Sequence, residues 1–177
     1  MGVITSLQNW YRRQNNVFTW ATVPGEKNLR EGYHMNAFTP PGRASPAVTS
    51  EDFTHAMGAA VTGVTVVTTD GPAGRFGLTV SSLASVSAEP PLLLVCIQRR
   101  NPAMAAISQN QRFAVNVLGA DQSDVARIFA GRPLDGTAYD FSRHVWRMGH
   151  AGLPLLAAAA AHFECDVDSQ HDAGTHR

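Results

Sequence analysis

Five hydroxyl side chains crowd into nine positions from Thr79 to Ser87: Thr79, Ser81, Ser82, Ser85 and Ser87, with no charged residue among them. Neutral donor–acceptors at this density suit a hydrogen-bonding wall for an uncharged ligand surface better than acid–base catalysis, which needs a titratable group. The same hydroxyls could instead satisfy backbone groups at a turn, and composition alone leaves both readings open. Pro90 and Pro91 follow, and the pair removes two backbone donors and fixes φ. The polar stretch must therefore end where the apolar run Leu92 to Ile97 begins. Beyond that run stand Gln98, Arg99 and Arg100. Guanidinium groups at a strand end could hold a phosphate, or could simply be solvated.

Three other patterns carry less. Gly71, Gly74 and Gly77 are spaced three apart, but a dinucleotide fingerprint needs G-x-G-x-x-G before a helix, and Phe76 to Ser82 is strand-like. A hairpin turn is the reading. His162, Glu164 and Asp166 alternate and so share one strand face. They could ligate a metal; the plainer account is a solvated face, with Phe163, Cys165 and Val167 turned to the core. Cys96 and Cys165 lie in apolar runs, where buried thiols in a reducing compartment are expected, although a disulfide is possible. No CxxC, HExxH, Walker A, G-x-S-x-G or EF-hand pattern occurs.

The elements that must position these residues can be read from periodicity. Thr49 onward begins the folded domain, with Ser50 as cap of a short helix reaching Ala59. The β-branched run Val61 to Thr69 predicts a strand, Asp70 to Gly74 a turn, and Phe76 to Ser82 the returning strand of a hairpin. Leu92 to Ile97 predicts a strand buried on both faces. A helix over Asn101 to Asn110, a strand over Arg112 to Leu118 and an amphipathic helix over Asp121 to Ala130 follow, the last with Val125, Ile128 and Phe129 on one face. Short strands close the reading near His144 to Met148 and Ala161 to Val167. Many strands with few, short helices give a mainly β domain, and a barrel rather than a doubly wound sheet.

The totals exclude several functions. The 177 residues suit one domain, and 14 Lys plus Arg against 14 Asp plus Glu leave no net charge to attract nucleic acid or an anionic membrane. Charged residues make up only 16%, which favours an oligomer that covers part of its surface. No apolar run approaches a membrane span, and the first residues lack the order of a signal peptide, so a cytoplasmic protein is expected. Residues 1–47 show neither periodicity and close on Pro40, Pro41, Gly42 and Pro46; they read as an irregular or disordered extension before a domain over 48–177. Codons for Arg30-Glu31-Gly32 could encode a ribosome-binding stretch, which makes Met35 a candidate start; sequencing Met1 or Gly2 at the native terminus would refute it.

From about residue 51 to 176 the chain resembles the short flavin reductases, reductase partners of two-component flavin-dependent monooxygenases. The resemblance is carried by Met57-Gly58 with Thr62 to Thr69, by Gly77-Leu78-Thr79-Val80-Ser81-Ser82-Leu83, and by Ser85-Val86-Ser87 with Pro90 to Ile97. Phe113 to Leu118, Phe129-Ala130-Gly131-Arg132 and Gly174-Thr175-His176 continue it, the last resembling the family's Gly-Asp-His. The resemblance implies an FMN-binding split β-barrel, a homodimer, bound FMN or FAD, and NADH or NADPH as hydride donor. It implies that Thr79, Val80, Ser81 and Ser82 line the isoalloxazine and ribityl, that Val86 and Ser87 continue toward the phosphate, that Ser85 also binds the cofactor, and that Phe113 lies near the ring. His176 would orient the nicotinamide. Gln98 and Arg99 are added from their place at the strand end. Hydride transfer needs donor and acceptor roughly 3–3.5 Å apart and little else from the protein, consistent with a site lacking a catalytic carboxylate.

The sequence departs from the family pattern in places. Thr175 replaces the aspartate, and Asn101-Pro102-Ala103 stands where hydroxyls are more usual. The family continues past this histidine into another strand whereas this sequence ends at Arg177, so a truncated barrel with an open edge is expected. The rival readings are a flavin-binding module or inactive remnant, and a related split-barrel oxidase acting on pyridoxamine phosphate.

Overall fold

The computed structural model describes residues 3–6 and 48–177. Contacts group residues 1–12 and 62–177 into one compact unit and 13–61 into another. In the second unit the described part is helix α1 (Ser50–Gly58), whose cap is Thr49 rather than Ser50: Thr49 Oγ1 accepts from the Asp52 N–H at 3.1 Å. The remainder of the expected irregular extension, 1–2 and 7–47, lies outside the described residues, and so does Met35.

The larger unit is a seven-stranded sheet in the order β3-β2-β6-β9-β1-β5-β4, all of whose neighbours are antiparallel. Its strands are β1 (Val3–Ser6), β2 (Thr65–Thr69), β3 (Phe76–Val80), β4 (Leu83–Ala88), β5 (Pro91–Val95), β6 (Arg112–Val117) and β9 (Ala161–Gln170). A separate hairpin joins β7 (Trp146–Met148) to β8 (Pro154–Leu156), and the helices are α2 (Pro102–Asn110) and α3 (Ser123–Phe129). The β2–β3 hairpin forms as expected, though β2 starts only at Thr65. Its turn is fixed by Gly74, at φ +91°, and by Asn110 at the end of α2. Asn110 Oδ1 accepts from the Ala73 N–H at 2.9 Å, while Nδ2 donates to Thr69 Oγ1 and to the Gly74 carbonyl. The glycine series is thus turn chemistry.

Two expectations change. The hydroxyl-rich stretch is itself largely a strand, β4, paired with β5 through a bulge between Ser85 and Ser87. The stretch read as irregular contains a strand, β1, which pairs with both β5 and β9.

Burial on both faces belongs to β2 and β6 more than to β5. Val67, Phe113 and Val115 enter one core with Leu93, Val95 and Ile97, capped by Met104 and Ile107 of α2. On the other face Val66 packs under Val125, Ile128 and Phe129 of α3, and Ala114 under Leu153 and Leu155. β5 buries Leu93 and Val95 in the first core and Leu92 on its opposite face, but leaves Leu94 half-buried. The buried Asn116 links three strands: its Nδ2 donates to the Val66 carbonyl at 3.0 Å and its Oδ1 accepts from the Leu156 N–H at 2.8 Å.

Candidate functional site

The end of β5 gathers most of the chemistry. Ser82 Oγ donates to the Cys96 carbonyl at 2.8 Å and accepts from the Cys96 N–H at 3.1 Å. This two-way bond fastens the corner between β3 and β4 beside the residues that leave β5. Gln98 forms an antiparallel bridge with His176, and the Arg99 N–H donates to the Thr175 carbonyl at 2.9 Å. Ser82, Gln98, Arg99 and His176 therefore meet around one strand end.

A cleft of about 590 Å³ opens there, lined by Gln98, Arg99, Arg100, Met104, Ser108, Thr175 and Arg177 among others, with no carboxylate in its lining. Asp172 stands behind it and chelates Arg177, receiving Nε at 2.6 Å and Nη2 at 3.1 Å, with Arg99 Nε at 3.8 Å. The hydrogen bond from Arg177 holds the Asp172 carboxyl below its usual range, and the same contact raises the Arg177 guanidinium. Three arginines line this cavity, two of them paired with Asp172, and such a setting fits a phosphorylated ligand. Sequence reading missed Arg177 and Asp172; opposite charges five apart across Gly174 were the available signal.

The remaining expected site residues are spread out. Ser81 and Ser85 are exposed, and their hydroxyls bond to nothing among the described residues, which leaves them free for a ligand. Ser87 Oγ accepts from the Glu89 N–H at 3.1 Å, so part of the hydroxyl wall does serve its own turn, and Val86 is half-buried at the bulge. Thr79 points elsewhere: its Oγ1 donates to the Ala126 carbonyl at 2.8 Å, and it lines a second cleft of about 560 Å³ with Val64, Ala126, Arg127 and Arg132. Val80 is buried in the core. Phe113 is 0% exposed, because β6 turns it inward among Val67, Leu93 and Ile107. It can support a ligand wall from beneath but offers no surface of its own.

The alternating polar residues of β9 are structural. Glu164 accepts from the His150 and Ala151 N–H groups at 3.0 and 2.9 Å, holding the β7–β8 turn. His162 Nε2 lies 2.6 Å from the Leu156 carbonyl, and Asp166 accepts from Arg112 Nε at 3.0 Å. Cys165 faces the core, as expected from the alternation. Among the described residues no three His, Cys, Asp or Glu side chains are grouped to hold a metal, and no helix is long and apolar enough to cross a membrane.

Comparison with known proteins gives a consistent result. The family described as flavin reductase like domain matches residues 57–177. An FMN reductase (NADH) RutF 1 of Methylorubrum extorquens is 42% identical over 134 residues, covering 75% of this chain, which spans 65% of that relative's length. The NADH:FAD oxidoreductase SgcE6 of Streptomyces globisporus superposes with a TM-score of 0.65 at 35% identity, over 77% of this chain and 81% of its own, and is also known with NAD and FAD fragments. The styrene monooxygenase flavin reductase of Pseudomonas putida gives a TM-score of 0.61 at 31% identity, over 71% and 78% of the two chains.

Proposed function

The chain belongs to the flavin reductase like domain family, and from that premise we propose that it is an NADH-dependent flavin reductase that passes reduced FMN or FAD to a separate monooxygenase. The observation that carries this reading is the strand end at which Gln98, Arg99 and Arg100 line a cleft with no Asp or Glu in its wall, with Ser82 fastened to Cys96 and His176 paired with Gln98 beside it. The names of the relatives favour NADH over NADPH and leave both flavins in play.

In this reading a bound flavin supplies the hydride acceptor, and the protein supplies position. Ser81 and Ser85 offer unsatisfied hydroxyls to the polar edge and ribityl chain, Ser82 holds the corner that presents them, and Ser87 and Val86 shape the bulge beyond. Arg99 and Arg100, with Gln98 beside them in the cleft wall, would hold the phosphate. His176, whose Nδ1 lies 2.9 Å from Thr175 Oγ1, is exposed beside Gln98 and is assigned to orienting the nicotinamide. Thr79 and Val80 act through the backbone and through the anchoring of α3. No group in this set must accept a proton from the donor, so binding geometry does the work. We propose that the residues of the reductase site all lie within 48–177.

The test is the loss of NADH absorbance with protein present, with and without added FMN. Consumption that requires FMN supports the reading, and flavin binding without consumption would reduce the chain to a binding module.

A further inference from the structure

The arginines of the strand-end cleft share one acid. Arg177 and Ile97 exchange two backbone hydrogen bonds, at 2.9 and 2.8 Å, and the Arg99 N–H donates to the Thr175 carbonyl at 2.9 Å, so both side chains stand on paired backbone. Asp172 takes one edge of the Arg177 guanidinium: Nε donates to Oδ1 at 2.6 Å and Nη2 to Oδ2 at 3.1 Å, with Arg99 Nε 3.8 Å from Oδ2. Arg100, in the same wall, has no ion pair among the described residues. The cleft lining itself contains no Asp or Glu. Two of its guanidiniums thus share a carboxylate set outside the wall. That carboxylate is held charged, because the hydrogen bond from Arg177 keeps it below its usual titration range.

We propose that Asp172 is a positioning residue that competes with the ligand's phosphate for Arg99 and Arg177, and so keeps phosphate affinity modest enough for reduced flavin to leave. The inference rests on the flavin-reductase reading of this cleft. A carboxylate and a phosphate draw on the same feature of a guanidinium, its planar pair of N–H donors, and an edge given to one is denied to the other. Charge acts in the same direction. A phosphate monoester is close to doubly charged at neutral pH, so a neighbouring carboxylate repels it. The paired side chains are 35–50% exposed, so solvent and salt screen them, and the competition amounts to a few-fold in affinity rather than orders of magnitude. That range suits a protein that hands its flavin on. Arg100 supplies the charge that Asp172 does not claim.

Equilibrium titration and stopped-flow release of FMN and riboflavin test it, because riboflavin has the same ring and ribityl chain without the phosphate. On Asp172→Asn, which removes the charge at almost constant shape, FMN should bind at least ~3-fold more tightly at low ionic strength and leave correspondingly more slowly, while riboflavin is unchanged. The gain should shrink in high salt. Asp172→Glu, which restores the carboxylate, should return FMN affinity toward the native value. Equal or weaker FMN binding by Asp172→Asn overturns the proposal, and so does a parallel change for riboflavin, which would mark a merely structural role. The native chain gives a check that needs no variant: saturating FMN, but not riboflavin, should shift the Asp172 carboxyl-carbon NMR signal, and a signal indifferent to FMN overturns the proposal. A native chain that binds neither flavin contradicts the flavin reading together with this inference, whereas FMN binding that Asp172→Asn leaves unaltered overturns the inference alone.

Discussion

At the scale of single residues, the hydroxyl cluster divides into groups that serve the fold and groups that remain open. Ser82, Ser87 and Thr79 are committed to Cys96, Glu89 and Ala126, whereas Ser81 and Ser85 are not. The sequence shows the cluster but not this division, because a hydroxyl's partner depends on strand register. Phe113 illustrates the same limit: its position in a familiar motif is legible, but the face of β6 it occupies follows from pairing with Cys165 across the sheet. His176 carries the most specific residue-level expectation. His176→Ala should raise the KM for NADH several-fold more than it lowers kcat, with flavin affinity retained, in steady-state kinetics; an equal fall in kcat at unchanged KM would remove it from nicotinamide positioning. Asp172 gives a pH expectation. Its carboxyl titrates below the unfolded value in the folded chain, so the Arg177 contact is fully present above the ordinary carboxylate range, about pH 4, and is lost only as pH falls through the lower folded value. In a carboxyl-carbon NMR titration, Arg177→Gln should move the Asp172 midpoint upward.

At the scale of elements, β2, β6, α2 and the β2–β3 hairpin were legible because β-branched runs, turn glycines and the Asn101 cap act locally. β4 was obscured by serine, which has no marked strand preference, and β8 is only three residues long. β1 could not be read at all, since four residues acquire strand character only from the two edges beside them. The glycine at 77 shows how elements constrain one another. A Cβ there would stand 2.7 Å from two ring carbons of Phe129 and 3.0 Å from Phe141, and these two rings pack edge-on, with centroids 4.9 Å apart, over β3. The ring of Phe129 is fixed further by Trp146, at 5.4 Å, so it cannot yield freely. Gly77→Ala is therefore expected to destabilise the domain by ~1–3 kcal/mol through overpacking, read as a lower midpoint in urea.

At the scale of the whole molecule, the barrel supplies the frame, and the groups proposed to meet a ligand sit where its strands end or turn. The mainly β class and the lack of net charge were legible from the sequence, and the family match over 57–177 agrees with the motifs that carried the resemblance. The arrangement of the clefts was not, because each is built from segments distant in sequence, such as Gln98 with Thr175. The homodimer that the family resemblance implies belongs to this scale as well. Val64, Leu134, Tyr139 and Val145 expose apolar surface that a second copy would cover, so sedimentation should give about twice the chain mass, and a monomer at all concentrations would exclude it. The central claim is that this protein turns flavin over rather than merely holding it. The most direct measurement is anaerobic bleaching of excess FMN by NADH with a catalytic quantity of protein: many flavins reduced per chain are predicted, whereas none, or no more than one per chain, would contradict the account.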